Sequence, residues 1–233
     1  MGIFMFDWTV IILIPAVIFA LYAQIRVRTA FAKYSKVSSL SGVSGAEAAR
    51  RILAAEGVQL TIEQTPGELT DHYDPRTRVL RLSPSVYNGR SLASLGVAAH
   101  ETGHALQHHT NYLPLHFRNG IYPFVAFGQH IWYIIIIGSI FMMSSYAGWP
   151  PWMLDLGIMV LGGVVLFQLV TLPVEFNASK RALQLLTTRG IIETTEVKST
   201  RAVLNAAALT YLAATLMAIL QLVQLLMIRQ RRN

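Results

Sequence analysis

Four long apolar stretches decide what this chain can become. They run from Trp8 to Ala23 (extended by Gly2 to Phe6 across Asp7), from Val125 to Met143, from Trp152 to Pro173 and from Ala202 to Ile228. A helix needs about 20 mostly apolar residues to cross the hydrocarbon core of a bilayer, and three of the four stretches meet that length without strain. Composition agrees. Of the 233 residues, 53% are hydrophobic and 13% charged, against about 25% charged in a soluble domain. An ordinary cytosolic fold and a disordered chain are both excluded. The net charge of +7 sits on basic residues that flank apolar segments, which points to lipid headgroups rather than to nucleic acid. The expectation is a mainly α membrane protein with about four transmembrane helices.

The first stretch has no basic residue before it, and Ala20-Leu21-Tyr22-Ala23 is a poor cleavage site, so it reads as a retained anchor rather than a signal peptide. Basic residues give the orientation. Arg26, Arg28, Lys33 and Lys36 follow the first stretch, and Lys180, Arg181, Arg189, Lys198 and Arg201 lie between the third and fourth, whereas Ser144 to Pro151 has none. The positive-inside rule places residues 25–120 and 174–201 in the cytoplasm. Arg229, Arg231 and Arg232 dissent, because a fully crossing last helix carries them to the other side. The chain then divides into a membrane anchor over 1–24, a cytoplasmic domain over 25–120 and a helical hairpin over 121–173. A cytoplasmic helix and loop over 174–201 and a membrane-associated helix with a basic tail over 202–233 complete it.

The polar stretch 25–120 holds eleven basic and seven acidic residues. Ser44-Gly45-Ala46-Glu47 is a capping box and Gly57 a plausible helix stop, predicting a helix from Gly45 to Glu56. Its Ala48, Ala49, Ile52, Leu53 and Ala55 form the expected core face. Val58 to Ile62, Leu69 to Tyr73 and Arg78 to Leu82 read as strands, with a turn at Asp74-Pro75-Arg76. Ser91 caps a helix from Leu92 to about His109. A small α+β domain results.

That helix carries His100-Glu101-Thr102-Gly103-His104. Histidines at i and i+4 share a helical face, so both imidazoles reach one metal ion, and imidazole suits zinc in a chain without cysteine. Glu101 stands beside the first ligand and reads as a general base that later protonates the leaving amine. A third ligand is needed, and the acidic residues downstream are Asp155, Glu175, Glu193 and Glu196. Two spans between His104 and Glu175 return the chain to the side that holds the histidines, whereas Asp155 lies near the far end of the third span. Glu175 is therefore the expected third ligand, with Glu193 and Glu196 remaining open. His108 and His109 read as a helix end where a cation suits the dipole, and His130 as a hydrogen-bonded group between helices.

His100-Glu101-Thr102-Gly103-His104-Ala105-Leu106-Gln107, Asp71-His72-Tyr73-Asp74-Pro75-Arg76 and Leu172-Pro173-Val174-Glu175-Phe176-Asn177-Ala178-Ser179 resemble the YugP-like neutral zinc metallopeptidases of bacterial membranes over nearly the whole chain. The resemblance implies a zincin-like domain of gluzincin type, with His100, His104 and Glu175 on one Zn²⁺ per chain and Glu101 as the catalytic acid and base. Better-known gluzincins often place Asp where this chain has Ser179, so the groups that orient the ligands must differ. The later histidine that often helps the oxyanion is also missing, since His130 is the last in the chain. Expected donors to a tetrahedral intermediate are His72, Tyr73, Arg181, Arg201, Asn205 and Tyr211.

The reading that follows is a multi-pass hydrolase of the bacterial plasma membrane, a zinc metalloendopeptidase that cleaves peptide bonds with zinc-activated water at the cytoplasmic membrane surface. Its partners are the lipid bilayer and a polypeptide, an unfolded or membrane-protein segment, with no nucleic acid; the oligomeric state is left open. Strand Arg78–Leu82 is expected to offer the substrate an edge. Two rivals remain: an intramembrane protease of the site-2 type using Asp155 after Pro150-Pro151, and a non-enzymatic scaffold or transporter in which the motif is inert.

Overall fold

The computed structural model describes residues 8–143 and 151–232, with side chains described for 9–128 and 152–230. Asp7, the loop as far as Pro150, and the side chains of Gln129 and His130 lie outside the described residues. The chain divides into two compact units. One joins residues 23–116 to 173–210, and the other takes 117–172 with the described residues before 23 and from 211 on.

The second of these units is built from long helices. A 3-10 turn over Trp8–Leu13 leads into α1 (Ile14–Tyr34), and α5 (Leu113–Met143), α6 (Pro151–Thr188) and α7 (Val197–Arg232) follow later in the chain. Three stretches, Thr9–Tyr34, Trp152–Thr188 and Val197–Gln230, are long and apolar enough to cross a membrane. The expectation of about four spans thus stands at three among the described residues, and the expected second span is helical within α5. Side chains that a soluble fold buries face outward here, including Ile11, Ile18, Leu21, Trp152 and Met159. An outward apolar surface of that extent calls for a lipid solvent. Within this unit α7 runs back along α6, because Arg229 near its end meets Asp155 near the start of α6 at 2.8 Å.

The other unit holds the mixed domain. Ser44 caps α2 (Gly45–Ala55) by accepting the Glu47 N–H at 3.3 Å, and Glu47 pairs with Arg50 and Arg51 one turn on. Ala48, Ala49, Ile52 and Leu53 are buried as their spacing predicts. Ala55 is exposed, because it stands at the last turn where α2 leaves its partner. Strands β1 (Thr61–Gln64), β2 (His72–Asp74) and β3 (Val79–Leu82) start later than their hydrophobic runs suggest. Arg78 adopts a left-handed conformation, φ 54°, which keeps it in the turn.

The sheet order is β1-β3-β2, with β1 parallel and β2 antiparallel to β3. This corrects the expected substrate edge. Val79, Leu80 and Leu82 are buried, so β3 takes the centre and is paired on both sides. The free edges belong to β1 and β2. A short helix, α3 (Pro84–Tyr87), leads to α4 (Leu92–His109), whose Ser91 cap accepts the Ser94 N–H. One side of α4 packs Ala98 with Leu80, Leu82 and Val86. Its other side packs Leu95, Ala99 and Leu106 with Ile52, Leu186 and Leu204. Apolar contact on both sides fixes the rotation of α4 about its axis, and with it the direction in which its histidines point.

Asp74 closes the turn between β2 and β3 by accepting from the Thr77 hydroxyl at 2.8 Å and the Arg76 N–H at 2.9 Å. These bonds, with Arg81 behind them, hold its carboxyl down at about 2. A carboxylate whose folded pKa is depressed adds stability above its unfolded value, and that stability is lost as pH falls toward the folded one. Asp74→Asn is expected to flatten the fall in stability between about pH 4 and pH 2, measured by acid titration of the folded fraction; an unchanged acid limb would contradict the role.

Candidate metal centre

The site begins with a missing side chain. A Cβ on Gly103 would lie 2.8 Å from the carbonyl oxygen of Ala178 and 3.2 Å from its Cα. Only glycine lets the backbones of α4 and α6 approach this closely. The contact brings the segment around Ala178 onto α4, and Glu175, one turn earlier on α6, then faces the histidines.

His100, His104 and Glu175 each offer a donor atom, and these atoms lie within 4.8 Å of one another. The Glu175 Oε2 is 3.3 Å from His100 Nε2 and 3.4 Å from His104 Nε2. The two imidazoles meet edge to face, with ring centroids 4.8 Å apart. Glu175 is buried, at 4% exposure. Two imidazole nitrogens and one carboxylate oxygen converging this closely make a donor set that suits zinc and leaves a coordination position for another ligand. The structure therefore brings the three expected ligands together. Glu196 turns elsewhere, accepting from the Leu40 and Glu193 N–H groups at 2.9 and 2.8 Å. Glu193 is exposed.

The groups behind the ligands were only partly foreseen. Ser179 places its Oγ 3.1 Å from His100 Nδ1. Behind His104 stands Gln107, fully buried, with its Oε1 3.0 Å from His104 Nδ1. Its amide nitrogen donates to the Val174 carbonyl at 2.8 Å and to Asn177 Oδ1 at 3.0 Å. The sequence alone gives Gln107 and Asn177 no role, since Gln107 precedes His108 and His109 in a polar helix end. With both Nδ1 atoms engaged by polar partners, each ring turns Nε2 toward Glu175.

Glu101 sits next to this cluster without joining it. Burial pushes its carboxyl up to about 7, helped by the carboxylates of Glu175 and Asp71 and opposed by His100 and a hydrogen bond from the Tyr73 N–H. Asp71 is itself held by Ser83, accepting the backbone N–H at 2.7 Å and the hydroxyl at 3.0 Å. The edge strand β2 thus reaches the site through the backbone of Tyr73.

The expected oxyanion donors are dispersed. His72 is exposed, with its Nδ1 on the Thr70 carbonyl at 2.8 Å. The Tyr73 hydroxyl meets His108 Nδ1 at 2.9 Å. Arg181 donates through Nε to Asn177 Oδ1 at 2.9 Å and lies over the Tyr112 ring. Asn205 and Arg201 are exposed on α7, along a cavity of about 610 Å³ that Ser179 and Phe176 also line. Tyr211 belongs to the other compact unit. His108 lies in the last turn of α4 as expected, and burial, with His116, Arg78 and His109 nearby, lowers its pKa, which weakens the expected cation there. Asp155, the ligand of the site-2 rival, is in the other compact unit and is paired with Arg229, so that reading is not favoured.

Comparison with known proteins follows the same direction. The family model described as "Putative neutral zinc metallopeptidase" matches residues 9–230. A protein of Bacillus subtilis (strain 168), "Putative membrane protease YugP", is 44% identical over 216 residues, which cover 92% of this chain and 93% of that one. No solved structure matches the chain. If the three converging donors hold zinc, metal analysis of purified protein is expected to find it lost in Glu175→Ala and kept in Asp155→Ala. The reverse result would transfer the third ligand to Asp155.

Proposed function

The chain belongs to the neutral zinc metallopeptidase family, and on that premise we propose that it is a membrane-anchored zinc metalloendopeptidase of gluzincin type. The observation that carries this reading is the convergence of His100, His104 and Glu175 beside a carboxylate, Glu101, on the same helix. Family membership and that convergence together disfavour an inert motif on a scaffold or transporter.

His100 and His104 through Nε2, and Glu175 through its carboxylate, would hold the metal. Zinc bound there supplies Lewis acidity toward a scissile carbonyl and toward water. The protein's own groups do the rest. Glu101 takes the proton of the attacking water and passes it to the nitrogen of the leaving amine, so one carboxylate serves both halves of the hydrolysis. Its nearness to His100 and its hydrogen bond from the Tyr73 N–H keep it aimed at the same point. An extended polypeptide adds to the edge strand β2 by backbone hydrogen bonds, which read any sequence in strand form, in competition with the bond between Glu101 and the Tyr73 N–H. That favours unfolded or membrane-protein segments as substrates.

The proposed setting is a bacterial plasma membrane, with four spans and the catalytic unit on the cytoplasmic side. Charge supports it, since the basic residues after the first and third stretches outnumber the tail arginines. The dissenting tail also weakens on inspection: Arg229 is paired with Asp155 at 2.8 Å, which offsets one of its charges. With 36 residues at about 1.5 Å each, α7 is long enough to cross about 30 Å of hydrocarbon completely.

Two outcomes are expected. Glu101→Gln keeps zinc and loses peptide cleavage by a factor of about 100 or more; cleavage at the wild-type rate would remove Glu101 from the mechanism. Because the chain has no cysteine, single cysteines report sidedness cleanly. In intact cells an impermeant maleimide is expected to leave Thr194→Cys unlabelled and to label Gln230→Cys, and the opposite pattern would invert the topology.

A further inference from the structure

We propose that a chain of hydrogen bonds from Arg181 through Asn177 and Gln107 dictates which nitrogen of His104 faces the metal. The proposal rests on the zinc reading above and adds to it three residues that touch no metal.

Donor polarity sets the direction of every bond in the chain. A guanidinium only donates, so the Asn177 atom that Arg181 Nε meets at 2.9 Å must be the carbonyl oxygen. That oxygen also meets the side-chain amide of Gln107 at 3.0 Å, so the Gln107 atom facing it must be the NH₂ group. The Val174 carbonyl requires the same by a separate route. It only accepts, and it lies 2.8 Å from the same Gln107 nitrogen. Two anchors of fixed polarity, one a side-chain cation and one a backbone carbonyl, therefore agree on the orientation of the amide. The remaining end of Gln107, Oε1, lies 3.0 Å from His104 Nδ1. An amide oxygen only accepts, so Nδ1 must carry the hydrogen, and the lone pair for a metal is left on Nε2. Gln107 is fully buried, so no water competes for these positions.

His100 lacks this control. Its partner is a hydroxyl, Ser179 Oγ at 3.1 Å, which can donate or accept and so imposes no choice between ring nitrogens. The two histidines are thus held by different means: His104 by an enforced polarity, His100 by proximity. The relay also spans the ligand set. Val174 and Asn177 flank Glu175, so the residue that orients one ligand is tied to the turn that carries another. Arg181 is a positioning residue in this account.

The test separates polarity from packing. Gln107→Met has similar length and no acceptor. Gln107→Glu keeps an acceptor for His104 Nδ1–H and, with its other oxygen protonated, one donation to α6. In full-length protein in detergent, zinc affinity is measured by chelator competition, and the His104 Nδ1–H is followed by NMR in histidine-labelled, zinc-loaded samples. For Gln107→Met, the zinc dissociation constant is expected to rise about 10–100-fold and the Nδ1–H signal to be lost to exchange. For Gln107→Glu, affinity is expected to stay within about threefold of wild type and the signal to persist. Equal losses in both variants would mean that Gln107 only fills space, and wild-type affinity in Gln107→Met would mean that the relay does nothing; either result overturns the proposal. A wild-type protein that binds no zinc would instead overturn the function on which it rests.

Discussion

The main-chain contact between Gly103 and Ala178 is the constraint from which the site follows. Two helices ordinarily pack with 8–10 Å between their axes because side chains intervene. At this crossing one side chain is absent and the carbonyl of Ala178 occupies its place. Everything placed around the proposed metal depends on that closeness. Glu175 lies one turn before Ala178, Ser179 immediately after it, and each meets a histidine one turn apart on α4. The core on both sides of α4 supports the contact, since Leu80 and Leu82 on one side and Leu186 and Leu204 on the other leave the helix no room to rotate.

Much of this was legible in the sequence because it is local. The capping box at Ser44 and the cap at Ser91 mark the starts of α2 and α4 through bonds that span three residues. His100 and His104 share a face by helical spacing alone. Glu175 required topology, counting spans to find which side of a membrane each carboxylate occupies. What the sequence hid is what depends on distant packing. That β3 rather than β2 is central depends on which strand buries more of its side chains against α2 and α4. Gln107 reads in sequence as one polar residue near a helix end, and its role appears only when Val174 and Asn177, some 70 residues later, arrive beside it. The partner of His108 is hidden for the same reason, because the Tyr73 hydroxyl that meets it comes from β2.

The two compact units answer to different solvents, and the charge distribution follows them. The unit of long helices turns Ile18, Leu21 and Met159 outward and pairs Asp155 with Arg229. The other unit packs Ile52, Leu80, Leu82, Leu95 and Leu186 into a buried core and carries the Glu47, Glu56, Glu63 and Asp74 pairs on its surface. A single helix, α6, serves both, being mostly apolar from Leu156 to Leu172 and then carrying Glu175, Lys180 and Arg181. The Glu175 carboxylate thus stands three residues into the part of the helix that belongs to the polar unit.

The donors gathered at the site are two imidazoles and a carboxylate, in a chain that contains no cysteine at all. None of these three groups climbs the ladder from thiol to sulfenic and sulfinic acid, and none can be captured in a mixed disulfide. A metal held by these three groups would therefore be blind to glutathione poise and to peroxide at levels that would silence a thiolate site.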